Sequence, residues 1–236
     1  MKRISILLMV VATILISCKS TDITKNVKLI SSYSQDTSVD DIETVKFGSY
    51  PQSDESGKTK EPIEWIVLDR QEDKSLLLSK YILDCKCYYV ERNDATWEKS
   101  SLREWLNNEF YIHAFDNNQK NKIQITHLIN SGGKETDDKI YILSVGEIIK
   151  YFGSGGKNFL GFTTMYKNVE TRETNYAKNN ESSVLNRSSS EDDFWLRTPG
   201  RFNWWVAYIQ GGHLSTDGIM VNDSSIGVRP ALWISN

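Results

Sequence analysis

The apolar residues of this chain change their spacing part-way along, and that change dictates the class of fold. Residues 63–68 (I-E-W-I-V-L) and 76–78 read as neighbouring strands, with 69–74 as a polar turn between them. From Ser101 the period lengthens: Leu102, Trp105, Leu106 and Phe110 fall at i, i+3, i+4 and i+8, one face of a helix. Ser101 and Glu104 form S-x-x-E, a capping box that predicts the helix start. A second short helix is expected over 116–123, strands near 125–129 and 139–143, and a helix over 145–152. Beyond a polar, weakly patterned insertion at 153–191, expected to be mobile or functional, the chain turns strongly β at 194–197, 204–210, 218–221 and 227–234. The expected fold is a single α+β domain over 45–236, with helices in its first half and an antiparallel β-rich C-terminal half.

Composition narrows the function classes. The chain has 236 residues, 39% hydrophobic and 25% charged, enough for a sizeable core and ordinary for a globular domain. Lys and Arg total 28 against 31 Asp and Glu, a net charge of −3. The cations are scattered, so the concentrated positive face that a nucleic-acid partner requires is missing. Three cysteines are too few for a disulfide framework.

Lys2 and Arg3 precede an apolar run at 4–16 that is interrupted only by Ser5 and Thr13. At 1.5 Å per residue such a run spans roughly 20 Å, short of the ~30 Å hydrocarbon core. It fits the apolar region of a signal peptide instead. Its ending, L-I-S-C at 15–18, resembles the lipobox of bacterial lipoproteins. That resemblance implies cleavage before Cys18, acylation of Cys18, and a membrane partner through the lipid. Two or three acyl chains at ~0.8 kcal/mol per buried methylene make a durable anchor. Cleavage also removes Lys2 and Arg3, leaving 26 basic against 31 acidic residues, net −5. The segments expected are a signal peptide at 1–17 and a lipidated cysteine with flexible tether at 18–44. The tether's reach is roughly 25–30 Å. The expected location is the bacterial cell envelope, on either membrane.

Three stretches carry a second resemblance: T-W-E-K-S-S-L-R-E-W-L-N-N-E-F at 96–110, T-D-D-K-I-Y-I-L-S at 136–144, and W-L-R-T-P-G at 195–200 joined to G-V-R-P-A-L-W-I at 227–234. In this order they resemble the bacterial family named domain of unknown function 6273. The tail is also similar to the end of the C-type-lectin-like fold, shared with formylglycine-generating enzymes. The fold implied is C-type-lectin-like; the family itself has no assigned activity.

Arg197 and Arg229 sit in strands among aromatics, where a buried charge must find partners. They are expected to satisfy carbonyls or carboxylates, with an anion or ligand clamp as the alternative. Trp97 and Trp105 are expected in the core. Cys85 and Cys87 are too close in sequence for an unstrained bridge, and no cysteine lies beyond them where formylglycine-generating enzymes carry a reactive pair. His113, His127 and His213 show no metal-ligand spacing, and no catalytic motif or cofactor fingerprint occurs.

What remains is the stretch 201–223, which alternates aromatic, amide, hydroxyl and acidic groups with small residues. If the fold is C-type-lectin-like, Asn203, Trp204, Tyr208, Gln210, His213, Asp217, Asn222 and Asp223 are candidates to line a ligand face; otherwise they belong to an ordinary hairpin. The leading expectation is a lipid-anchored envelope module that binds a glycan, peptide or protein without catalysis or cofactor. Its alternatives are a formylglycine-generating-type oxidoreductase using Cys85 or Cys87, and a scaffold that binds a partner through 153–191.

Overall fold

The computed structural model describes residues 43–153, 171–180 and 192–236. Expectations that fall on 1–42, including Cys18 and its signal segment, and on 154–170 and 181–191 of the insertion, lie outside the described residues.

The strands are β1 (Thr44–Tyr50), β2 (Glu61–Arg70), β3 (Lys74–Ser79), β4 (Asp84–Cys85), β5 (Thr126–Leu128), β6 (Thr136–Asp138), β7 (Phe194–Pro199), β8 (Trp205–Gln210), β9 (His213–Met220), β10 (Gly227–Val228) and β11 (Ala231–Ser235). They form a four-stranded antiparallel sheet β1-β2-β3-β11 and a five-stranded sheet β4-β10-β7-β8-β9; β5 and β6 pair as a separate ribbon. Helical structure comprises α1, built from Ser101–Trp105, Leu106–Phe110 and Tyr111–Ala114, then α2 (Asn117–Lys122), α3 (Val145–Phe152) and α4 (Asn175–Asn180). The protein is therefore α+β with largely antiparallel strands. The helices are not confined to its first half: α3 and α4 follow β6, while three long strands precede α1.

Local chemistry explains these boundaries. The single run 227–234 divides because Pro230 has no N–H to continue a ladder. Before it β10 pairs with β4 and β7; after it β11 pairs with β3, and the Pro230 carbonyl accepts from Ser79 N–H at 2.8 Å. The last strand thus closes against the first sheet. The cap of α1 is Ser100, one residue before the expected Ser101. Its extended backbone turns the hydroxyl onto Arg103 N–H, whereas Ser101 Oγ donates to Tyr88 O. Reciprocal capping boxes occur at Asp116/Gln119 and Ser144/Glu147. The middle of α1 widens to a π-helix, where Asn107 reaches across to residues 139–140. Asn107 Nδ2 donates to Ile140 O at 2.8 Å, and Oδ1 accepts from Lys139 and Ile140 N–H. The stretch expected as a strand at 139–143 forms only an isolated bridge, Tyr141 to Ala231, and is further held by Asn107 and by Arg197, whose backbone N–H donates to Leu143 O. The strand lies earlier, at β6.

Within the weakly patterned insertion expected at 153–191, the described residues 171–180 are ordered by hydrogen bonds and carry a helix. Ile82 N–H donates to Arg172 O, Thr174 N–H donates to Ile82 O, and Thr174 Oγ1 accepts from Ala177 N–H to start α4. Ala177 is fully buried.

On the β5–β6 ribbon, Ile125, His127 and Ile129 point outward, opposite Glu135 and Asp137. Hydrogen bonds to Asp137 and then to Glu135 raise the His127 pKa above that of ordinary imidazole. The stabilisation from these pairs is present below the ordinary imidazole pKa and is lost as pH rises through the raised value. Following the His127 ring protons by NMR, we expect Asp137→Asn to move the midpoint back toward the ordinary value. An unmoved midpoint would contradict the pairing.

Candidate functional site

The eight candidate surface residues do not share one face. β8 lies between β7 and β9, inside its sheet, and Val206, Ala207, Tyr208 and Ile209 are all buried on it. Tyr208, 4% exposed, is core and lines no surface. Asp223 is also buried; its Oδ1 accepts from Ser225 N–H and Oγ to close the turn after β9. Asn222 is half-buried, and its carbonyl accepts from the Cys87 thiol at 3.3 Å. Gln210 and His213 are exposed but pair at the far end of the β8–β9 hairpin, roughly 17 Å from Trp205 at a strand rise of ~3.3 Å.

Asn203, Trp204 and Asp217 do gather, at the other end of β8. Phe202 and Trp204, 42% and 38% exposed, stack with centroids 5.6 Å apart and planes 9° from parallel. The Trp205 ring meets Phe202 edge-on at 5.0 Å, and the Arg201 guanidinium lies 5.6 Å from the Phe202 ring. The loop beneath this ledge is tied throughout. Gly200 N–H donates to Trp205 O, Trp205 N–H to Phe202 O, and Arg201 N–H to Asp217 O at 2.8 Å. Asn203 is clamped twice, by Ala95 N–H onto its carbonyl and by its own amide onto Asp94 Oδ1 at 2.8 Å. The Trp204 carbonyl accepts from Val221 N–H, whose own carbonyl accepts from Tyr89 N–H.

A bulge in β9 brings Asp217 to the ledge. Register slips from Val206↔Ile219 to Tyr208↔Ser215, and Gly218 sits at φ +85° inside the slip. A Cβ there would lie 2.5 Å from Val206 O, so glycine is what lets the bulge fold back. Phe202 and Arg201 were absent from the sequence-based candidates. Their signal was the run R-F-N-W-W itself, too dense in rings for every one to be buried.

Of the remaining candidates Arg197, Arg229 and Trp97 are built into the interior, while Trp105, expected in the core, lies at its edge. Arg197 Nη1 donates to Ile142 O at 3.0 Å and pairs with Glu147. Arg229 Nε donates to Ser79 O at 2.8 Å with its guanidinium 5.2 Å from the Phe194 ring, and burial lowers its pKa. Trp97 is fully buried with Nε1 on Asp138 at 2.8 Å; Trp105 is half-buried at the edge of a pocket.

Neither described cysteine is in a disulfide. Cys85 lies 3.5 Å from Glu173 Oε1, and Cys87 faces Asn222 O. Burial raises the Cys87 pKa, which favours the unreactive thiol over the thiolate that a nucleophile needs. Among the described residues no three His, Cys, Asp or Glu side chains converge on a metal position, and no helix is long and apolar enough to cross a membrane. At His127 the two ring nitrogens serve different carboxylates, which makes two pairs and no chelate.

No curated protein and no solved structure is significantly similar to this chain. A family model does match, over residues 72–236, from β3 through the ledge to the end of β11. The chain belongs to the family described as domain of unknown function 6273.

Proposed function

We propose that the protein is a non-catalytic, C-type-lectin-like binding module, held at the bacterial cell envelope by a lipid on Cys18, that takes a glycan on its Phe202–Trp204 ledge. The observation that carries this reading is the pair of parallel, exposed rings on a loop whose backbone is hydrogen-bonded from Gly200 to Trp205. Exposed rings fixed before binding offer apolar contact with little entropy left to lose. Beside the rings, the exposed residues Arg201 and Asp217 are joined through their backbones and offer charged groups for directional hydrogen bonds, while Asp94 holds the Asn203 amide in place. The return of β11 to the first sheet supports the C-type-lectin-like assignment, as does the ledge's place in the C-terminal loops.

A glycan-array and envelope-extract screen on a soluble fragment, residues 43–236, tests the reading. Phe202→Ala/Trp204→Ala should abolish the binding seen with the unaltered domain. A folded domain that binds no glycan would refute it. The variant replaces exposed rings and should leave the fold intact, whereas Tyr208→Ala would hollow the core.

The anchor has its own test. In a bacterial host the full chain should incorporate labelled palmitate and sediment with membranes. Cys18→Ser should lose the label and move the protein to the soluble fraction; a variant that still sediments would contradict lipidation at Cys18.

A further inference from the structure

A second site lies at the opposite edge of the five-stranded sheet, beside β4, and does not depend on the reading of the ledge. Tyr50, Trp105, Phe110 and Tyr176 form an aromatic box there. Tyr50 meets Trp105 edge-on at 6.5 Å and Tyr176 edge-on at 5.6 Å, with Phe110 at 5.1 Å. The rings border a cavity of about 240 Å³ that Asp84 and Lys86 also line. Asp84 is 1% exposed. Its Oδ1 accepts from Cys85 N–H and the Asn180 amide, and its Oδ2 accepts from Tyr50 OH at 2.7 Å. Burial, and then the Asp84 charge, raise the Tyr50 pKa, so the phenol stays a donor.

Lys86 places its ammonium in this box, 4.6 Å from the Trp105 ring centroid and 3.5 Å from Asp84 Oδ2. A cation over an indole face beside a buried carboxylate is the recognition chemistry of alkylammonium ligands. Lys86 remains one-third exposed, and its contact to Asp84 is longer than a hydrogen bond. We propose that this pocket is a receptor for a primary alkylammonium group, from a small amine or a peptide lysine, and that Lys86 is its displaceable internal occupant. A tethered occupant weakens an outside ligand by the fraction of time the site stands vacant. An ammonium seated there about nine-tenths of the time therefore masks about tenfold in affinity, which its removal should restore.

The probe is n-butylammonium chloride, with n-butanol as the neutral isostere and sodium chloride at matched ionic strength. NMR on the intact domain reads the Trp105 indole N–H and the Lys86 ε-methylene, which the indole ring current displaces. We expect saturable shifts with the amine only. In the unaltered protein the Lys86 signal should move toward its free position. Lys86→Met, or Lys86→Gln if the first variant does not fold, should bind at least about tenfold tighter. N-acetyl-lysine methylamide separates the sources: binding as tight as butylammonium assigns a peptide lysine, weaker binding a small amine. Shifts no larger than those from n-butanol, an unmoved Lys86 signal, or a folded variant that binds no tighter would each overturn the proposal.

Discussion

Asp138→Ala is expected to lower the unfolding free energy by about 3–5 kcal/mol, the cost of stripping one partner from a buried ion pair. Asp138 has no exposed surface on its side chain. Its carboxylate accepts from Arg103 Nε at 2.6 Å, Trp97 Nε1 at 2.8 Å and Thr136 Oγ1 at 2.8 Å. One side chain thus joins α1, the buried indole before it and the β5–β6 ribbon. Truncation leaves the Trp97 N–H and the Thr136 hydroxyl buried with no acceptor, each costing about 1–3 kcal/mol. Arg103, 28% exposed, can recover some solvation, which holds the total at the stated range. Urea unfolding of the variant reads the effect; a loss under about 1 kcal/mol would show that water replaces the carboxylate.

Gly218→Ala should cost about 2–5 kcal/mol and remove ligand binding together with stability. An L side chain at φ +85° costs roughly 1–2 kcal/mol on its own. The new methyl would also press on the Val206 carbonyl at 2.5 Å, which is backbone in the sheet's interior, and overpacking of this kind costs about 1–3 kcal/mol. Relief requires the β9 bulge to open, which withdraws Asp217 from Arg201 and frees the ledge loop. Unfolding and binding measured on one preparation should fall together. Full binding by Gly218→Ala would mean that the bulge does not shape the site.

Much of this fold was legible because its signals are local. Leu102, Trp105, Leu106 and Phe110 mark α1, and the β character of 227–234 was plain although its division at Pro230 into β10 and β11 was not expected. Long-range terms hid the rest. The π stretch of α1 accompanies Asn107 bonding to a segment more than thirty residues away. α4 depends on Thr174 and Ala177 settling against β4, so its polar sequence read as loop.

The site was half legible for a related reason. Period-two alternation identifies surface residues only when one face of a strand is wet. β8 is covered on both faces, so Tyr208 disappears into the core together with its neighbours Ala207 and Ile209. Asp223 looked like a ligand group, yet the short-range bonds to Ser225 turn it inward. Trp204 and Asn203 precede β8 and escape that burial.

The measurement closest to the central claim compares the affinity of a glycan recovered from the screen for three folded proteins: the unaltered domain, Phe202→Ala/Trp204→Ala, and Gln210→Ala/His213→Ala. Two hot-spot rings contribute about 2 kcal/mol or more each, so the first variant should lose at least about a hundredfold in affinity. The second, altered at the far end of the hairpin, should bind as the unaltered domain does. Equal binding by the ledge variant, or loss confined to the Gln210/His213 variant, would contradict the ledge as the ligand face.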